Sequence, residues 1–345
     1  MKKINIRILS TTASILLAFV APRADAETTY HLTKTIPVGG DGGWDYLSVD
    51  SAGRRLYVSH ATKAVVIDLD KEEVVGEIAD TPGIHGVAVA ADLGKGFSSN
   101  GRENKASVVD LKTLKTLSKV ETGQNPDAII YNPASQEVYA FNGRGNSASV
   151  IDAKADKVTH TIPLGGKPEF GVADTNAGRV YVNLEDKSEV VVIDVNAHKV
   201  ITTWPLAPGE EPSGMAFDPA HHRLFIGCGN KLMVMMDSES GKVVAKVPIG
   251  DHVDANVFDA KEQLAFSSTG EGIVTIAHED SPEKLTVVQT LKTEPGAKTM
   301  TIDPKTRKIY LGAAKYEAPG EKSSGGGKKR PSIVPGSFKV LVYSP

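Results

Sequence analysis

Seven polar residues in this 345-residue chain each stand twelve positions before an aromatic: Asp45 before Tyr57, His85 before Phe97, Asp127 before Tyr139, Glu169 before Tyr181, Ser213 before Phe225, Asp254 before Phe266 and Lys298 before Tyr310. If the fold brings them together, four carboxylates, an imidazole and an ammonium share one place. Crowded carboxylates perturb one another's pKa values, which is a mark of functional sites. Their oxygens could also hold a hard divalent cation. Asp127, Glu169 and Asp254 are the expected ligands of such a cation. His85 is then the expected base for a metal-assisted hydrolysis.

The elements that would position these residues come from a repeat. Val66-Ile67-Asp68, Val108-Val109-Asp110, Val150-Ile151-Asp152, Val192-Ile193-Asp194 and the weaker Met235-Met236-Asp237 place Asp at spacings of 42, 42, 42 and 43 residues. Phe266 and Tyr310 carry the series into two further units. Each unit reads as four short strands; in the fourth they are predicted at 169–174, 179–183, 189–194 and 199–205, alternating or apolar and separated by turn residues such as Asn176-Ala177-Gly178. Seven four-stranded units at this period predict an all-β chain, a seven-bladed β-propeller of antiparallel blades. A solenoid would need polar caps at both ends, and none is visible.

The last unit supplies only three strands, at 298–303, 308–311 and 338–343. Segment 30–37 has the outer-strand pattern, so the N-terminal strand is predicted to complete the last blade and close the ring. Innermost strands line a propeller's channel. The polar column would therefore ring one channel mouth, above a mostly apolar column of Leu47, Val87, Ile129, Gly171, Met215, Asn256 and Met300. Polar at the mouth and apolar below is the profile of a ligand funnel; a hydrated entrance, polar for solubility alone, is the other reading.

Loops between second and third strands open on the same face and carry His60, Asn100, Arg102, Asn142, Arg144 and Glu185. The 207–211 loop and the Asp251-His252 pair lie at the same level. Arg102 and Arg144 occupy equivalent Asn-Gly-Arg segments of neighbouring blades and could grip a carboxylate or phosphate; plain turn chemistry would also place them there. In the last blade, 313–336 lengthens the same connection and carries Lys315, Lys322, Lys328, Lys329 and Arg330, a lid, a docking arm or a basic arm for polyanions. The repeated Asp68, Asp110, Asp152 and Asp194 are read instead as turn formers.

Composition narrows the classes. With 40% hydrophobic and 23% charged residues and a net charge of -3, the chain reads as neither a polytopic membrane protein, nor a disordered chain, nor a general nucleic-acid binder. Cys228, the one cysteine, excludes an intrachain disulfide and a cysteine-cluster metal site; it is expected partly buried, with no catalytic base. His221-His222 falls in a turn and is expected exposed. Residues 1–26 combine Lys2 and Lys3, an apolar stretch and Ala24-Asp25-Ala26, which predicts a signal peptide cleaved after Ala26 and a periplasmic or secreted product.

The repeat, seen best at Gly53–Ser59 and Gly178–Asn183, resembles the YVTN-type repeat of YncE-like seven-bladed propellers and extends over 30–345. The resemblance implies an exported bacterial protein, mostly without an assigned reaction, with single-stranded DNA binding associated with one branch. It carries no catalytic motif. The chain is therefore expected to be a monomeric binding protein with no membrane span. Its mouth face, bearing Asp45, His85, Asp127, Glu169, Asp254, Lys298, Arg102 and Arg144, would hold a small ligand, a divalent cation or a protein partner. A metal-assisted hydrolase or lactonase is the second reading. Single-stranded DNA binding is the third, with 322–330 as the one basic run that could serve it.

Overall fold

The architecture comes from a computed structural model that describes Met1, 29–317 and 332–345. The predicted signal segment beyond Met1 and the basic run 322–330 lie outside the described residues. Seven four-stranded antiparallel sheets account for the rest, broken only by single 3₁₀ turns at Ala91–Leu93 and Glu185–Lys187. No helix among the described residues is long and apolar enough to cross a membrane.

The strands fall where the repeat puts them. In blade 4 they run Pro168–Asp174, Arg179–Leu184, Glu189–Asp194 and Lys199–Pro205, within a residue of the pattern. The seven aromatic anchors on the second strands, from Tyr57 to Tyr310, are fully buried between blades. Each such side chain contributes about 1.5–3 kcal/mol on burial. The repeated aspartates close the outer hairpins: Asp68 Oδ1 accepts the backbone N–H groups of Asp70 (2.9 Å) and Lys71 (2.8 Å), and Asp152 does the same for Lys154 and Ala155. Those bonds hold the Asp68 and Asp152 carboxyls below the usual carboxylate range.

Innermost strands pack against their neighbours all the way round, including Met300–Ile302 of blade 7 against Trp44–Asp50 of blade 1. The ring is closed by the N-terminal strand His31–Pro37, which pairs as the outermost strand of blade 7 with Lys339–Ser344, Ile36 opposite Val340. Tyr30 extends the clasp: its backbone exchanges two hydrogen bonds with the Gln289 amide (2.9 and 2.8 Å), and its hydroxyl donates to Arg307 O (2.9 Å). The chain is thus a seven-bladed β-propeller whose last blade is built from both ends of the described chain.

Blade 7 starts later than predicted. Its innermost strand is Met300–Ile302, so Lys298 precedes the strand rather than opening it. The base of the long 313–336 connection is a short ribbon, Tyr316 bridged to Ile333, with Glu317 N–H donating to Ser332 O (2.8 Å). Tyr316 and Phe338 flank Trp44 at the mouth, with ring centroids 6.5 and 5.0 Å away.

Candidate functional site at the channel mouth

The polar column converges at one mouth. Asp45, His85, Asp127, Glu169, Ser213 and Asp254 are each the second residue of an innermost strand, and Lys298 comes just before the seventh. In the six blades that start there, pairing with the second strand slips just past this residue, between Trp44 and Leu47 in blade 1 and between Pro126 and Ile129 in blade 3. A bulge of this kind re-aims the side chains beside it.

The ring divides into three charge clusters. His85 Nδ1 lies 2.7 Å from Asp45 Oδ2 and 3.3 Å from Asp127 Oδ1. Lys298 Nζ lies 2.6 Å from Asp254 Oδ2, whose other oxygen accepts the Ser213 hydroxyl at 3.1 Å. Lys167, which directly precedes the strand that carries Glu169, lies 3.2 Å from Glu169 and pairs closely with Glu185.

Burial sets the protonation of this ring. Desolvation pushes the Glu169 carboxyl up to about 8, helped by the Asp127 charge and opposed by Lys167. Desolvation also pushes Asp127 up to about 6, against the pull of His85. For His85, burial acts to lower the pKa, but the bond to Asp45 and the charge of Asp127 outweigh it and raise it. Lys298 follows the same logic, with Asp254 overriding burial. Near neutral pH the mouth therefore holds protonated Glu169 and a proton shared within the His85 cluster rather than four bare carboxylates.

This changes the expected cation set. Asp127, Glu169 and Asp254 were the expected ligands, but Glu169 and Asp254 are each engaged by a lysine. The mouth residues whose ligand atoms all lie within 4.8 Å of one another are Asp45, His85 and Asp127. A lysine reaches across a blade boundary in a way that spacing along the chain does not reveal.

Tyr46 and Phe170 form the floor beneath the ring, residues that the column arithmetic passed over. They come from blades 1 and 4 and meet with centroids 5.1 Å apart. Burial raises the Tyr46 hydroxyl well above its usual range, and the charges of Glu169, Asp254, Asp127 and Asp45 add to it.

The loops divide into structural and free groups. Asn100 and Asn142 are buried hairpin braces: Asn100 donates to Glu103 and Ser107 (both 2.8 Å), Asn142 to Ser147 and Ser149 (3.1 and 3.0 Å). His60 is buried and stacks on Phe338 at 4.5 Å, with its pKa lowered by burial. Arg102 and Arg144 are exposed, and neither side chain has an ion pair or hydrogen bond among the described residues. Both line one cavity of about 400 Å³ with Gly101, Asn104, Gln124 and Asn125, between blades 2 and 3.

The cavity abuts the polar ring. A Cβ on Gly101 would stand 2.7 Å from His85 Nε2 and 2.9 Å from Asn125 Oδ1, so only glycine fits at that wall without displacing the imidazole. Because Nδ1 faces the two carboxylates, Nε2 is the histidine's outward nitrogen, and in the protonated ring it is a donor. His85 Nε2 thus lies beside Gly101, a wall residue of the cavity that the two guanidinium groups line.

Two other sequence readings shift. Cys228 ends the strand Arg223–Cys228 and is fully buried rather than partly so, and burial pushes its thiol up to about 12. His221 is half-buried, not exposed, and contacts Asp218 and Glu279 on the face opposite the mouth.

The fold and the mouth together define a seven-bladed propeller with a polar, loop-rimmed face. Its likeness to solved structures is one of fold. A chain of hydrazine synthase from Kuenenia stuttgartiensis superposes with a TM-score of 0.71 at 16% identity, covering 79% of this chain and 92% of that one. A chain of a mitotic checkpoint complex superposes at 0.75 with 13% identity, covering 99% of both. No family model matches the sequence, and no curated protein matches it.

Proposed function

We propose that this chain is an exported binding protein of the YncE-like propeller class that holds a small anionic ligand, a carboxylate or phosphate, at the channel mouth between blades 2 and 3. The observation that carries this reading is the pair of guanidiniums, Arg102 and Arg144, unpartnered among the described residues and lining one cavity whose wall residue Gly101 abuts His85 Nε2. Planar guanidinium groups match carboxylate and phosphate geometry. The half-buried Asp45 and Asp127 hold the His85 ring through Nδ1 and, outweighing its burial, raise its pKa, which favours an N–H donor at Nε2. The predicted signal peptide supports a periplasmic or secreted setting, where a propeller face serves as a rigid loop platform.

Isothermal titration calorimetry of the mature protein with phosphate, citrate and simple dicarboxylates tests this. Binding is expected in wild type and should weaken with added salt. Each arginine removed should cost about ten-fold to a hundred-fold, from about 1.5–3 kcal/mol per charge-assisted hydrogen bond. Binding that is unchanged in R102A/R144A, or absent with every anion, contradicts the reading.

A second reading has one observation in its favour. The convergence of Asp45, His85 and Asp127 within 4.8 Å could hold a divalent cation. That would suit metal-assisted hydrolysis of an ester or lactone, by analogy of fold. Elemental analysis of protein purified without chelator tests it: a stoichiometric cation lost in D127N supports it.

A further inference from the structure

The repeat exposes one position where blade 6 breaks its own rule. The residue that follows the third strand's terminal Asp is small or apolar and buried in the first five blades: Leu69, Leu111, Ala153, Val195 and Ser238. Its backbone N–H always donates to the first hairpin of the same blade, as Leu69 does to Arg54 O and Glu279 to Gln263 O. Blade 6 places Glu279 there, 1% exposed. Neither carboxyl oxygen has a hydrogen-bond partner among the described residues. A buried glutamate whose oxygens accept no directed hydrogen bond is costly unless something else satisfies it.

A second departure faces it. The first hairpin of blade 5 carries His221 where blades 1, 3 and 4 carry Gly53, Ser135 and Ala177. His221 Nδ1 lies 3.2 Å from Glu279 Oε1 and 2.9 Å from Asp218 Oδ2. Nδ1 makes no properly directed hydrogen bond to either. Asp218 uses its other oxygen on the Ala220 N–H (2.9 Å), which fixes the carboxyl and leaves Oδ2 turned to the histidine. The three ligand atoms all lie within 4.8 Å of one another. The two carboxyl side chains are at most 3% exposed, while His221 is 30% exposed and opens the group to solvent.

We propose that Asp218, His221 and Glu279 form a site for a borderline divalent transition-metal ion, Zn²⁺ foremost, at the junction of blades 5 and 6 on the face opposite the mouth. One imidazole nitrogen and two carboxylate oxygens suit zinc, whose ligands stand about 2.0–2.2 Å from the ion and so about 3.3–3.6 Å apart in a tetrahedron. Imidazole disfavours magnesium and calcium, which prefer all-oxygen shells. Two carboxylates balance the ion's charge, and the open side at His221 leaves the fourth position to water. The ion would tie blade 5 to blade 6 independently of any ligand at the mouth.

Chelator-treated full-length protein, dialysed against Zn²⁺ and analysed for bound metal, tests the site. D127N removes the competing histidine–carboxylate set at the mouth. One Zn²⁺ per chain is expected in wild type and in D127N, with at least a ten-fold loss of affinity in H221A and in E279L. E279L restores the residue type of blades 1 and 2; if it fails to fold, E279Q serves in its place. A zinc-dependent rise in Tm should follow the same pattern. Zinc retained by H221A and the Glu279 variant, zinc lost only in D127N, no zinc bound at all, or equal affinity for Mg²⁺ each overturns the proposal.

Discussion

Tyr46 and Phe170, carried by blades 1 and 4, touch with ring centroids 5.1 Å apart and floor the mouth beneath its carboxylates. The tilted contact, 54° between ring planes, puts apolar surface beside the mouth carboxyls, and Tyr46 is buried in it. Y46A should therefore cost about 3–5 kcal/mol, the range for losing a buried aromatic. Y46F keeps the ring and should cost much less. Urea unfolding of the two variants separates packing from the hydroxyl.

The mouth should weaken the fold as pH rises. Glu169 binds its proton up to about pH 8 when folded, against an ordinary value of 4.5, so the unfolded chain releases that proton first. Stability then falls as pH climbs from about 4.5 through about 8 and levels off above. His85, with its pKa raised, acts in the same direction: its contribution is present below the ordinary histidine value and is lost as pH passes its folded value. E169Q should match wild type at pH 5 and exceed it by about 2–4 kcal/mol at pH 9, since each tenfold difference in proton affinity between folded and unfolded chain is worth about 1.4 kcal/mol. Identical pH profiles for the two proteins would contradict this assignment.

Ring closure rests on a strand distant in sequence from its partner. Ile36, 1% exposed, packs opposite Val340. I36A should destabilise by about 2–5 kcal/mol. Removing 29–37 should expose the edge of Lys339–Ser344 and drive association between copies. Light scattering and thermal melts check both outcomes.

The thiol of Cys228 should be inert in the folded protein. Burial pushes it up to about 12, and it lies inside blade 5. Reaction with a disulfide reagent at pH 8 should be negligible in native buffer and stoichiometric in denaturant. Rapid native labelling would mean that blade 5 opens readily.

Much of this was legible in the sequence. The 42-residue Asp spacing located the strands of blade 4 to within a residue, because strand ends and Asx turns are local chemistry. The spare 30–37 segment was recognisable as an outer strand because its pattern matches Val158–Pro163 of blade 3. The polar ring was legible too, since every innermost strand but the last starts in the same phase.

What escaped depends on geometry that period alone does not carry. Tyr46 was missed because the bulge at each strand start re-aims residues that simple alternation would assign to faces. The cation set shifted because Lys298 reaches Asp254 across a blade boundary and Lys167, just ahead of the strand that carries Glu169, folds back onto Glu169. Asn100 and Asn142 looked like loop ligands but brace their own hairpins. His221 looked like an exposed turn residue because its partner Glu279 comes 58 positions later, from the next blade.

Diffraction from crystals of the mature protein soaked in selenate tests the mouth most directly, because selenium scatters anomalously and selenate is a tetrahedral oxyanion like phosphate. An anomalous peak is expected between Arg102 and Arg144, within hydrogen-bond reach of both guanidiniums, and absent in R102A/R144A. A cavity without a peak, or peaks confined to other surfaces, would contradict anion binding at this face.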